Sequence, residues 1–182
     1  MIRNPSLTRP RRSHRGQALV EFGLVIGLFM FVIGGLVQFG IILWTQNAIT
    51  QVARDTARWA VTQSASPCDS PVSRTAVAGA ADQLALGASM VGYSPGLWSS
   101  ASKIDALGSE GVGVDWLQER VPIPFAADCP PSDNLTVWTV RIGVNHVVPI
   151  FIPGLQFIAP ACGSPGFCLT TTTELRMEPK LP

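Results

Sequence analysis

The sequence predicts an α+β protein: a long N-terminal transmembrane helix followed by a small extracytoplasmic domain with a second helix and a three- or four-stranded antiparallel sheet. Three observations predict it. An apolar run from Phe22 to Trp44 contains one strongly polar residue, Gln38; a helical pattern continues beyond it to Pro67 without glycine or proline; and stretches of alternating apolar residues appear only in the C-terminal half. The chain has 182 residues, 47% hydrophobic and 14% charged, with a net charge of +1. That length has room for one membrane segment and one modest domain.

The span comes first. At about 1.5 Å per residue, the run 22–44 exceeds the roughly 30 Å of a hydrocarbon core. A secretory signal peptide is the rival, but its apolar region is usually about 7–15 residues long and ends at a small-x-small site. The nearest such pattern, Ser64 and Ser66, comes well after the run and is followed by Pro67. Arg3, Arg9, Arg11, Arg12 and Arg15 precede the span with no acidic residue among them, which predicts a cytoplasmic N-terminus and an extracytoplasmic remainder. A nucleic-acid arm would use the same arginines. No aromatic or glycine-rich RNA-binding pattern accompanies them, so no nucleic-acid partner is expected.

Glu21, just inside the apolar run, is the residue that asks for an explanation. An acidic side chain at the centre of a membrane helix costs roughly 2.5–3.5 kcal/mol on insertion scales. Either a partner compensates it, or it sits at the lipid–water interface and needs none. Gly23, Gly27 and Gly34 fall close to one helical face, and Gly23-x-x-x-Gly27 is a close-packing pattern. These glycines could dock another subunit's helix, although glycine is also frequent in membrane helices generally.

Beyond the span, WTQNAITQVARDTARWAVTQ places Trp44, Ala48, Val52 and Trp59 near one stripe, with Gln51, Asp55 and Arg58 elsewhere. A helix from about Ala18 to Gln63 would be roughly 70 Å long. The Ser- and Pro-rich SASPCDSPVSR then reads as a loop. A second helix is expected from about Ser73 to Met90, after Pro71, with Val77, Ala81, Leu84 and Ala85 as its apolar face. Residues Gly92–Ser102 read as a flexible connection.

Strand patterns follow. Val112, Val114 and Trp116 alternate; Thr136, Trp138, Val140, Ile142 and Val144 share one face of a longer strand; and Phe167, Leu169, Thr171, Thr173, Leu175 and Met177 alternate likewise. Between the last two, HVVPIFIPGLQFIAP is unusually apolar, with prolines that forbid a continuous strand. It is either cover for the sheet or a second contact surface toward partners or lipid.

The stretches RGQALVEFGLVIGLFMFVIGGLVQFG and NAITQVARDTARWA resemble the N-terminal region of TadE-like proteins, minor pilin-like components of the tight-adherence (Flp) pilus. VRIGVNHVVPIFIPG and TTTTELRMEP are similar to that family's closing strand pair, with Arg176, Met177 and Glu178 in place of its Met-Arg-x-Glu-like ending. The resemblance covers roughly the first 63 and the last 45 residues. It implies a pilin-like stem and processing by a prepilin peptidase after a glycine, with a glutamate five residues into the mature chain. Gly16, Gln17 and Glu21 fit that spacing. Cutting there removes all five arginines and creates an ammonium group on Gln17, a counter-ion for Glu21 between neighbouring subunits. Residues 1–16 are then a cleaved cytoplasmic leader, 17–63 the long helix and 64–182 the extracytoplasmic domain. The implied location is the bacterial inner membrane, single-pass, with possible incorporation in a pilus. The implied partners are the peptidase, other pilin-like subunits, inner-membrane pilus assembly proteins and membrane lipid.

Cys68, Cys129, Cys162 and Cys168 all lie on the expected extracytoplasmic side, where disulfides persist, and four cysteines allow three complete pairings. Cys162 and Cys168 could close the short GSPGF loop and leave Cys68 for Cys129. No C-x-x-C occurs, and His14 and His146 lack a cysteine spacing suited to a metal, so neither metal nor cofactor is expected. No G-x-S-x-G, H-E-x-x-H, Walker A or dinucleotide fingerprint occurs either. The expectation is a non-enzymatic, minor pilin-like (pseudopilin) subunit supporting pilus assembly. The alternatives are an uncleaved membrane-anchored binding domain and an anchored hydrolase, which would need a catalytic cluster in a pocket.

Overall fold

The computed structural model describes residues 15–63, 72–122, 134–152, 162 and 166–177; side chains at 118–122 and 134–137 are not described. The chain divides into two compact units, Met1–Val37 and Gln38–Pro182. One helix, α1 (Arg15–Gln63), runs from the first into the second.

In the first unit the described residues are helical, and every side chain from Gly16 to Ile33 is exposed. Leu19, Phe22, Leu24, Leu28 and Phe31 are among the large apolar groups left uncovered. A surface this apolar suits lipid, and the helix is long and apolar enough to cross a membrane. From Gly16 to Val37 it rises about 33 Å, close to the thickness of a hydrocarbon core.

The second unit begins at Gln38 and takes the remainder of α1 as part of its core. Ala48, Ile49, Val52, Ala53, Ala57 and Ala60 are buried. So many alanines allow the helix axis to approach its neighbours closely. Trp44, expected on the same stripe as Ala48 and Val52, is instead 65% exposed; the buried stripe begins with Gln38 and Thr45. Polar Thr45 is tolerated there because its hydroxyl donates to the Ile41 carbonyl at 2.9 Å.

Helix α2 (Arg74–Gly87) starts at Ser73, whose side chain accepts from the Ala76 amide at 3.2 Å, and ends before Ser89, which takes a left-handed φ of 51°. It is three residues shorter at its C-terminal end than the pattern predicted. The four strands are β1 (Ala101–Ser102), β2 (Gly111–Pro122), β3 (Asn134–Val148) and β4 (Phe167–Arg176), in the order β1-β2-β3-β4. β2, β3 and β4 are antiparallel, while the two-residue β1 joins β2 in parallel, so the sheet is mixed rather than wholly antiparallel.

The register places Val112, Val114, Val140, Ile142, Val144, Val148 and Leu169 in the same cluster as the buried residues of α1 and α2. The opposite face is notched. Gly113 pairs with Gly143, and a Cβ at Gly113 would stand 2.9 Å from the Ile104 Cα. The missing side chains let the single 3₁₀ turn, Ile104–Ala106, lie directly on the strands. Asp115 anchors that turn by accepting from the Ile104 amide at 3.1 Å, and it faces Arg74 at 3.8 Å.

Residues 92–102, expected to be a flexible connection, carry turns around a fully buried Trp98 and end in β1. The reason lies in α2: the Asp82 carboxylate accepts from the Gly96 amide at 3.1 Å, the Trp98 amide at 3.3 Å and the Tyr93 hydroxyl.

Candidate assembly site

Helix α1 begins at Arg15, so Gly16 and Gln17 lie in its first turn and Glu21 one turn further on. A residue at position i and another at i+4 share a helical face, and the Gln17 side-chain amide donates to Glu21 Oε1 at 3.1 Å. The carboxylate sits between Val20 and Phe22, both largely exposed, on an otherwise apolar surface. A Cβ at Gly16, Gly23 or Gly27 would meet nothing within 4 Å, and Gly34 is half-buried. The flat surface at Gly23 and Gly27 is therefore open to whatever surrounds the helix. Chemically, the segment offers one carboxylate, one amide next to a small residue, and apolar surface on every side.

Gln38 resolves differently from what its place in an apolar run suggested. It is buried, its Nε2 donates to the Pro149 carbonyl at 3.2 Å, and its Oε1 accepts from the Phe151 amide at 3.0 Å. Both ends of the side chain are used within the second unit. Eight residues on, Gln46 reaches the Thr170 carbonyl of β4 at 3.4 Å.

The second unit also holds two part-buried polar pairs that no sequence motif announced. His146 is fully buried, with Nδ1 2.5 Å from Glu110 Oε1 and Nε2 2.9 Å from the Val91 carbonyl. The Glu110 carboxylate also accepts from the Val147 amide at 3.2 Å. Tyr93 packs edge-on to Trp98, with ring centroids 4.8 Å apart, while burial and then the Asp82 carboxylate push its hydroxyl well above the ordinary tyrosine pKa. One signal was available for Asp82: it falls on the apolar face of α2 beside Val77, Ala78, Ala81 and Ala85.

These groups hold backbone, and Glu110 also lines a hollow of about 220 Å³ together with Ser100, Ser102 and Ser109. Among the described residues no group of three or more His, Cys, Asp or Glu is placed to hold a metal ion. Cys162 and Cys168 lie at disulfide distance, Cα–Cα 5.4 Å, across the start of β4. Cys68 and Cys129 lie outside the described residues, as do residues 1–14 of the expected leader and most of the apolar segment after Ile152.

An exposed apolar helix with a lone carboxylate near its start, continuing into the core of an α+β unit, is the arrangement expected from the resemblance. Residues 16–58 match the TadE-like protein family. Neither a curated protein nor a solved structure matches the chain. The TadE-like segment takes in the exposed helix and most of the buried stripe and stops short of α2 and the sheet.

Proposed function

We propose that the chain is a minor pilin-like subunit that supports assembly of a tight-adherence pilus and is non-catalytic. A prepilin peptidase cuts after Gly16, and Glu21 pairs with the new amine of Gln17 on an adjacent subunit. The observation that carries this reading is the TadE-like match, which begins at Gly16 and includes Gln17 and Glu21 at the required spacing. The environment supports it: a carboxylate on an apolar helix gains most from a cationic partner where water is excluded. In this reading the arginine-rich N-terminus is cytoplasmic, the second unit is extracytoplasmic, and the helix sits in the inner membrane among other pilin-like subunits and assembly proteins.

One observation favours a second reading. The Gln17 side chain donates to Glu21 within one chain, so an uncleaved anchor carrying a binding domain gives this carboxylate a hydrogen-bond partner without a neighbouring subunit. N-terminal sequencing of the protein from its native membrane separates the two. The proposal expects a mature chain starting at Gln17, and a block to processing in Gly16→Leu. A native chain that retains residues 1–16 refutes the pilin reading and leaves the anchor.

A further inference from the structure

We infer that Gln17, once cleavage makes it the N-terminal residue, is a site of self-cyclisation to a pyroglutamyl lactam, and that Glu21 of the same chain holds it in the open form. The inference rests on the proposed cut after Gly16, and the experiment below fails differently for the two.

The chemistry starts from the residue type. A glutamine with a free α-amine closes on itself when the amine nitrogen bonds to the side-chain carbon Cδ and the Cδ–Nε2 bond breaks. A proton passes from the amine to the leaving nitrogen, which departs as ammonia. No oxidant or co-reactant takes part. The product carries a neutral lactam N–H in place of an ammonium. Such a chain has no cation to set against a neighbour's carboxylate, so cyclisation withdraws a subunit from the assembly that the cut makes possible.

The structure opposes that closure. Gln17 Nε2 donates to Glu21 Oε1 at 3.1 Å, across four residues of helix. Four residues rise about 6 Å along the axis, so the bond draws the side-chain amide away from the new terminus, whereas ring closure needs it folded back over its own amine. The two placements exclude one another. The bond also acts on the leaving group: Nε2 must gain a proton to depart, and here it gives its hydrogen to a carboxylate, which only accepts.

The pair is built to outlast the cut. An α-helix bonds each N–H to the carbonyl four residues earlier, so within Arg15–Gln63 the Glu21 N–H is bonded to the Gln17 carbonyl. This is the first helical bond whose two residues both remain after cleavage. The Gln17 amide lies in the first turn and has no carbonyl four residues back within the helix, so converting it to an amine breaks no helical bond of its own. Val20 and Phe22 on either side of the carboxylate are apolar and largely exposed, and a hydrogen bond gains strength where water is excluded.

One carboxylate thereby serves two partners. It has about four lone-pair sites, so accepting from its own chain's amide leaves capacity for the ammonium of the adjacent subunit. Toward cyclisation Glu21 is a positioning residue, acting through Gln17.

The test takes the full chain from a cell that carries the matching peptidase, as the parent, Glu21→Gln and Glu21→Ala, purified into detergent so that subunits are apart. Intact mass at successive times reads both events: the loss of residues 1–16, and the further loss of one ammonia. Glu21→Gln keeps a side-chain oxygen that accepts, so it should cyclise at the parent's rate although it lacks the charge that assembly needs. Glu21→Ala should cyclise at least about twofold faster, the factor that corresponds to a side-chain pair four residues apart on a helix. Equal rates in the parent and Glu21→Ala, no cyclised chain in any of the three, or a Glu21→Gln chain as fast as Glu21→Ala overturns the inference and leaves the cut standing. A native chain that keeps residues 1–16 overturns the proposed cut and the inference with it.

Discussion

His146 Nδ1 stands 2.5 Å from Glu110 Oε1, and the same carboxylate oxygen accepts from the Val147 amide at 3.2 Å. The other ring nitrogen, Nε2, lies 2.9 Å from the Val91 carbonyl. The pair ties the turn at Val91, the residue ahead of β2 and the end of β3 to one buried ring.

Removing the carboxylate should therefore loosen all three. Glu110→Ala leaves the Val147 amide and the His146 Nδ1 without partners and is expected to cost about 1–3 kcal/mol for each group left unsatisfied. Urea unfolding of the full chain in detergent, followed by tryptophan fluorescence, measures it. Glu110→Gln, which restores an acceptor, should lose less. Equal stability in Glu110→Ala and the parent would contradict the hydrogen-bond inventory.

Tyr93 is the sole tyrosine in the chain, so its ionisation can be read directly from ultraviolet absorbance. Burial and Asp82 both favour the protonated phenol, which raises its folded-state pKa. The folded protein should show no tyrosinate at pH values where a free tyrosine, near 10, is half ionised. The sign for stability follows: the contribution is fully present below the unfolded pKa and is lost as pH rises through that value toward the folded one. Asp82→Asn should bring the absorbance transition down. A transition near 10 in the native protein would refute the Tyr93–Asp82 pair.

Thr56 is buried, and its Oγ1 has no hydrogen-bond partner among the described residues. Thr56→Val replaces that hydroxyl by a methyl group of nearly equal size and keeps the β-branch. The change should be neutral or stabilising by about 1 kcal/mol, because an unpaired buried hydroxyl carries only a desolvation cost. The same urea titration applies, and a destabilisation of similar size would mean the hydroxyl is paired.

Glu21→Gln tests the assembly proposal at its centre. The amide keeps the shape and helix propensity of the side chain while removing its charge, and it lowers the cost of burial in lipid. Membrane insertion and cleavage should survive, the cut being five residues away. Co-purification with other pilin-like subunits and pili on the cell surface should both be lost. Normal levels of each, with processing confirmed, would make Glu21 an interfacial residue only.

Much of the architecture was legible without coordinates because it rests on periodicity. The exposed apolar run, the length of α1, the apolar face of α2 at Val77, Ala81 and Ala85 and the inward residues of β2, β3 and β4 are local repetitions, each set by helix or strand geometry and by the need to bury one face; Leu84, expected on that face of α2, is exposed. The TadE-like spacing of Gly16, Gln17 and Glu21 is local as well. Tertiary structure decided where partners meet. The sequence marks Gln38 as polar among apolar neighbours, but its bonds to Pro149 and Phe151 join segments more than a hundred residues apart. Asp82 turns a glycine- and serine-rich stretch into fixed turns because three donors converge on one buried carboxylate. His146 is one residue in a strand pattern until Val91 and Glu110 close on it. Hydrogen bonds in a low-dielectric interior are short-ranged and directional, so their value depends on three-dimensional placement that no linear pattern encodes.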